Sequence, residues 1–235
     1  MNLSKPILLS LTFCAISLTA LSQTPPEDEN PLIPMGAVVG KPDAQTIKKA
    51  LKGFKDVGIT QYLIYPRSGC ELEYMSDEWL DTCEKICATA KELGYTSIWL
   101  YDEFNWPSGT ANKTVMKQNP DFVFRHLNAV KNKDGNFEIV MRENPDMSNL
   151  LEPDVVECFI SLTHEKYAKK LAPYLGSFVK GVFTDEPSAG YFNWKQYASD
   201  KIKVPYYKGI EEDYKKLTRT DLSPPARGAS LTKSP

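Results

Sequence analysis

The sequence predicts an α/β fold built on a parallel sheet, and three observations predict it. A helix with one apolar stripe, a glycine and a short apolar strand follow one another three times along the 235 residues. Such alternation gives βαβα units with right-handed crossovers. Polar and charged residues collect directly after the strands. A hydrophobic content of 42% with 25% charged residues fits one globular domain with a proper core. The 28 Lys and Arg residues against 30 Asp and Glu leave no broad basic surface for nucleic acid or anionic lipid. A neutral or small partner is therefore expected.

Residues 1–22 read as an export signal. Lys5 supplies the positive start, "PILLSLTFCAISLTAL" is an apolar run too short and too rich in Ser and Thr for a comfortable span, and Ala20-Leu21-Ser22 offers small residues for cleavage. A lipoprotein site at Cys14 is disfavoured by the bulky Phe13 before it. An exported chain is expected, periplasmic or secreted, with no stable membrane insertion after signal cleavage. Residues 23–30 are a polar, proline-bearing linker, 31–222 the folded domain, and 223–235 a tail without apolar periodicity.

The elements of the domain follow in order. A first strand is expected around "IPMGAVV". Asp43 caps a helix with Ile47, Ala50, Leu51, Phe54 and Val57 at helical spacing, Gly58 closes it, and "ITQYLIY" is the next strand. Ser76 caps a second helix with Asp77 and Glu78 in its first turn and Leu80, Cys83, Cys87 and Ala90 as its stripe; Gly94 and the strand "YTSIWLY" follow. A third helix begins near Pro153, carries Val156, Phe159, Ile160, Thr163, Tyr167, Leu171 and Tyr174 on one face, stops at Gly176 and leads into "FVKGVFT". Between the second and third units, "DFVFRHLNAV" and "NFEIVMRE" around Lys133-Asp134-Gly135 read as a β-hairpin that covers the rim of the sheet or, as the sharper option, walls the active site.

Oxidising surroundings would permit disulfides among Cys70, Cys83, Cys87 and Cys158, but none is compelled, and Cys83 and Cys87 read as buried apolar residues. His126 and His164 are far apart and lack ligand spacing, which disfavours a zinc site.

The strand ends carry the functional candidates. One strand runs into Tyr65-Pro66-Arg67, the next into Asp102-Glu103, and the last into Asp185-Glu186-Pro187. Parallel strands place these residues on one edge, where α/β folds build their sites. Glu103 and Glu186 together suit glycosidic-bond cleavage, one as protonated acid and one as ionised partner. Asp102 and Asp185 read as rim residues that accept hydrogen bonds or touch substrate. Trp106 offers a flat face to a sugar ring or else packs in the core. Arg67 binds sugar hydroxyls or pairs with a rim acid.

"YDEFNWPSG" and "GVFTDEPS", with "PRSGCELEYMSDEW" and "FISLTHEKYAKKLAPYLG", resemble the catalytic barrel of glycoside hydrolase family 106 and its α-L-rhamnosidase-like relatives over about residues 31–220. The resemblance implies an inverting hydrolase acting on plant or microbial polysaccharides from a (β/α)8 TIM-barrel scaffold. Glu103 and Glu186 would be its acid and base, with a Ca2+ ion near the sugar; Arg67, Asp102, Trp106 and Asp185 are the substrate-side candidates read from the residues themselves. A complete barrel takes roughly 250 residues, and about four βα units are present here. The expected fold class is thus α/β, an incomplete barrel of this type with a β-hairpin insertion. The alternative function is a non-catalytic carbohydrate-binding remnant or an inactive fragment of such an enzyme.

Overall fold

The computed structural model describes residues 30–131, 133–135, 137–188, 203–220 and 232–233. The expected export signal and most of the linker and tail lie outside the described residues. The fold is mixed α/β, with a four-stranded parallel sheet and a separate antiparallel sheet.

The parallel sheet contains β1 (Met35–Gly40), β2 (Gln61–Cys70), β3 (Ser97–Tyr101) and β6 (Val179–Phe183), adjoining in chain order. The helices between them are α1 (Ala44–Asp56), α2 (Asp77–Glu92), and the pair α4 (Pro153–Leu162) and α5 (His164–Lys170). Asp43 and Ser76 cap α1 and α2 as their side chains predict, accepting from the amides of Thr46 and Trp79. Gly58 and Gly94 take φ values of 84° and 74° just past the two helices, a left-handed turn that costs glycine least.

One core lies between the helices and one sheet face. It gathers Ile47 and Leu51 of α1, Trp79, Leu80, Cys83, Ile86, Cys87 and Ala90 of α2, and Tyr62, Ile64, Ile98, Leu100 and Val179 of the strands. Strand alternation sends Leu63, Tyr65, Trp99 and Tyr101 to the opposite face, where they form a second, smaller cluster. All the helices that contribute to the core therefore cover one side of the sheet. Two close ring contacts explain two glycines: a methyl at Gly181 would stand 2.7 Å from the Trp99 ring, and one at Gly36 would overlap Tyr62.

Several expectations are corrected. The third helix is broken at Thr163, whose φ and ψ of −123° and −75° are not helical and whose hydroxyl donates to the carbonyl of Phe159 at 2.7 Å. The buried face of this segment is Val155, Phe159, Thr163, Tyr167 and Leu171, a row of four-residue steps, while Ile160 is exposed. Ala50 of α1 and Val57 just past its end also face solvent, so the apolar stripe is narrower than the spacing predicts. Strand β2 continues past Tyr65 to Cys70, with an irregularity opposite Val38 and Gly40 that spans Arg67.

The hairpin forms as predicted, β4 (Val123–Lys131) against β5 (Phe137–Ser148), but it belongs to its own sheet of order β7-β4-β5-β8 rather than to the parallel one. Strand β7 is Lys203–Tyr206 and β8 is Thr232–Lys233, two residues of the expected tail. Two more α-helices, α3 (Thr114–Gln118) after β3 and α6 (Ile210–Thr218) after β7, and a 3-10 turn at Pro120–Phe122 complete the described elements. Cys70, Cys83, Cys87 and Cys158 are all free thiols.

Candidate functional site

The parallel pairing of β2, β3 and β6 brings Arg67, Asp102, Glu103, Asp185 and Glu186 to one edge of the sheet, as the sequence predicts. The core positions that edge. Trp79 Nε1 donates to the Tyr167 hydroxyl at 3.0 Å, and that hydroxyl donates to the carbonyl of Tyr101, the residue before Asp102, at 3.2 Å.

Asp102 is fully buried and serves as a joint between the strand ends. Its Oδ1 accepts from Ser108 Oγ at 2.5 Å and its Oδ2 from Thr184 Oγ1 at 2.6 Å, with His164 Nε2 3.4 Å from Oδ2. Ser108 Oγ in turn accepts from the amide of Asp185 at 2.9 Å, and the Ser108 amide donates to the Asp185 carbonyl at 2.9 Å. The Pro-Ser-Gly turn is thereby fastened to the end of β6. Asp102 acts inside the scaffold, which is the rim role rather than the substrate-touching one.

Glu103 is 1% exposed and holds a loop. Its Oε1 accepts from the amides of Phe104 and Asn112, and its Oε2 from the amides of Thr110 and Ala111 and from the Thr110 hydroxyl. The backbone turns these amides inward through three consecutive left-handed residues, Ala111, Asn112 and Lys113, at φ 49°, 54° and 62°. Left-handed backbone costs roughly 1–2 kcal/mol per non-glycine residue, so the loop persists because the carboxylate fills the nest of amides. Burial pushes the Glu103 carboxyl up from its ordinary value, while the amides and the Thr110 hydroxyl pull it back.

Glu186 is exposed, sits at φ 41°, and accepts from the indole N–H of Trp106 at 2.8 Å. Trp106 itself is 43% exposed, so the core reading of this tryptophan is not the one the structure gives. Asp185 accepts from the Tyr101 hydroxyl at 2.7 Å, which together with burial pushes the phenol of Tyr101 well above its ordinary range. Arg67 lies over the ring of Tyr65, 5.7 Å from its centroid, and Tyr65 meets Tyr101 edge-on at 4.6 Å. Arg67, Tyr65, Tyr101 and Asp185 thus run in a chain across the sheet face.

A cavity of about 460 Å³ opens beside this edge, lined by Glu103, Asn105, Trp106, Pro107, Thr110, Asn112 and Lys113 of the loop after β3 and by Asn144, Asp146 and Met147 of β5. Its size falls within the roughly 300–1,000 Å³ of small-ligand clefts. The hairpin residues here correspond to the active-site wall that the sequence offers as the sharper alternative to rim cover. Ser108, Thr184 and His164 at the joint are functional candidates that sequence reasoning missed.

Among the described residues no group of three or more His, Cys, Asp or Glu side chains converges as a metal cage. The acids at the edge are bound instead to Ser108, Thr184, Trp106, Tyr101 and backbone amides. No helix among the described residues is long and apolar enough to cross a membrane. Compared with protein families and with curated protein sequences, the chain matches neither.

Proposed function

We propose that this chain is part of an exported (β/α)-barrel glycoside hydrolase of the α-L-rhamnosidase-like type, whose sugar site is the edge where β3 and β6 end. The observation that carries the proposal is that Trp106, 43% exposed, lines the cavity while its indole N–H donates to Glu186 at 2.8 Å. Trp106 supplies a flat apolar platform for a pyranose ring, and Glu186 is a carboxylate beside that platform able to exchange a proton with a glycosidic oxygen or a water. Two features support the barrel reading. The strands adjoin in chain order, and the helices of the core all lie on one sheet face, as in a barrel wall. Glu103 is the second carboxyl of the proposed pair, and its raised pKa suits an acid.

A specific observation favours a second reading, a carbohydrate-binding site without turnover. All five donors to Glu103 call for an anion and leave it committed to the loop. One experiment separates the readings. The full chain is offered aryl glycosides, the α-L-rhamnoside first, with turnover and binding measured for wild type, Glu103→Gln and Glu186→Gln. Turnover lost in Glu186→Gln supports the hydrolase. Binding without turnover supports the second reading, and neither binding nor turnover rejects both.

A further inference from the structure

A break in the hairpin register faces the cavity. Val123 pairs with Ser148, yet its neighbour Phe124 pairs with Asn144, so Pro145, Asp146 and Met147 have no partners on β4 and bulge out of β5. Bulges of this kind re-aim side chains and gather beside active sites. Here Asn144, Asp146 and Met147 are all delivered to the cavity wall. The base of the bulge is fixed to the site loop, because Ser148 Oγ donates to the carbonyl of Gly109, and within the bulge the Asp146 amide donates to Asn144 Oδ1 at 3.1 Å. Across the cavity Lys113 Nζ meets Asp146 Oδ1 at 2.6 Å, both side chains more than half exposed.

The charges in this cavity are spoken for. Lys113 is neutralised by Asp146, and Glu103 by its amides. Toward a ligand the wall presents Asn144, the Trp106 ring, and an ammonium and a carboxylate set side by side as donor and acceptor. Adjacent ring hydroxyls present the matching acceptor and donor. An acidic sugar would need an unpaired cation, and Lys113, the cation that lines the cavity, is held by Asp146.

We infer that the β5 bulge is the specificity element of this site, and that the Lys113–Asp146 pair selects neutral sugars with adjacent hydroxyls over uronic acids. The inference rests on the carbohydrate reading proposed above and assigns its selectivity to residues outside the strand ends.

The test is a switch of preference. Binding of 4-nitrophenyl α-L-rhamnoside and of 4-nitrophenyl β-D-glucuronide is measured for the full chain, Asp146→Asn, Trp106→Ala and, as a control, Asp56→Asn in the exposed Lys52–Asp56 pair of α1. Asp146→Asn is expected to free the Lys113 ammonium. It should weaken the neutral probe and strengthen the glucuronide, each by about two- to five-fold, the scale of one exposed ion pair. Asp56→Asn should change neither. An unchanged ratio in Asp146→Asn, with the neutral probe lost in Trp106→Ala, overturns the specificity assignment and leaves the carbohydrate reading standing. Wild type that binds neither probe overturns both.

Discussion

The indole N–H of Trp106 and the Oε2 of Glu186 meet at 2.8 Å although 80 residues separate them in the chain. The contact joins the turn after β3 to the end of β6 and places an aromatic face beside an exposed carboxylate. Trp106→Phe keeps a ring but removes the donor. Sugar binding or turnover is expected to fall several-fold, on the scale of one ordinary hydrogen bond of about 1 kcal/mol, while the melting temperature stays within a degree or two because Trp106 is exposed. Parallel binding and calorimetric melts check both halves, and an equal loss in both would assign the contact to the scaffold.

Glu103 and Glu186 should separate in stability. Glu103→Gln replaces one acceptor oxygen by an amide that faces donors, inside a loop of three left-handed residues. A loss of about 2–4 kcal/mol is expected, since several charge-assisted bonds weaken together. Glu186→Gln, on an exposed side chain, should cost under about 0.5 kcal/mol. Urea unfolding followed by circular dichroism measures the difference.

Ser108 links Asp102 to the Asp185 amide, so Ser108→Ala leaves a buried carboxylate short of a donor and an amide without its acceptor. A cost of about 1–3 kcal/mol is expected. Amide exchange at Asp185 should speed up in the variant; unchanged protection would mean that the turn is held elsewhere.

Gly181→Ala should destabilise the sheet by about 1–3 kcal/mol, because the new methyl would press on the Trp99 ring where the backbone is already paired to β3. Trp99→Leu should recover part of that loss, a coupling that a double-mutant cycle would read directly.

The cysteines should divide by burial. Cys83 and Cys87 are fully buried in the core, and burial pushes the Cys87 thiol up to about 12 and Cys83 upward as well. Thiolate is the reactive form, so native protein at pH 8 should label far more slowly at these two than at the half-buried Cys70 and Cys158. Peptide mapping after brief alkylation checks the order, and equal labelling would show that the helix-side core opens.

The sequence by itself determined the order of the helices and strands that build the parallel sheet, the caps of its first two helices and the edge on which the acids collect. Those features follow from local causes: apolar spacing, the capping oxygens of Asp43 and Ser76, the glycines after α1 and α2, and the parallel run that repeated crossovers impose. It read the third helix as continuous because a sequence stripe cannot show that Thr163 turns its hydroxyl onto the Phe159 carbonyl. Tertiary structure alone decided what each acid does. Asp102, Glu103, Asp185 and Glu186 look alike in two Asp-Glu pairs, yet Glu103 is consumed by a nest that depends on left-handed backbone at Ala111 and Lys113, residue types with no preference for it. The cavity wall was equally hidden, since Asp146 reaches Lys113 through a three-residue slip in strand register, and register is set by the pairing of β4 with β5 rather than by either strand alone.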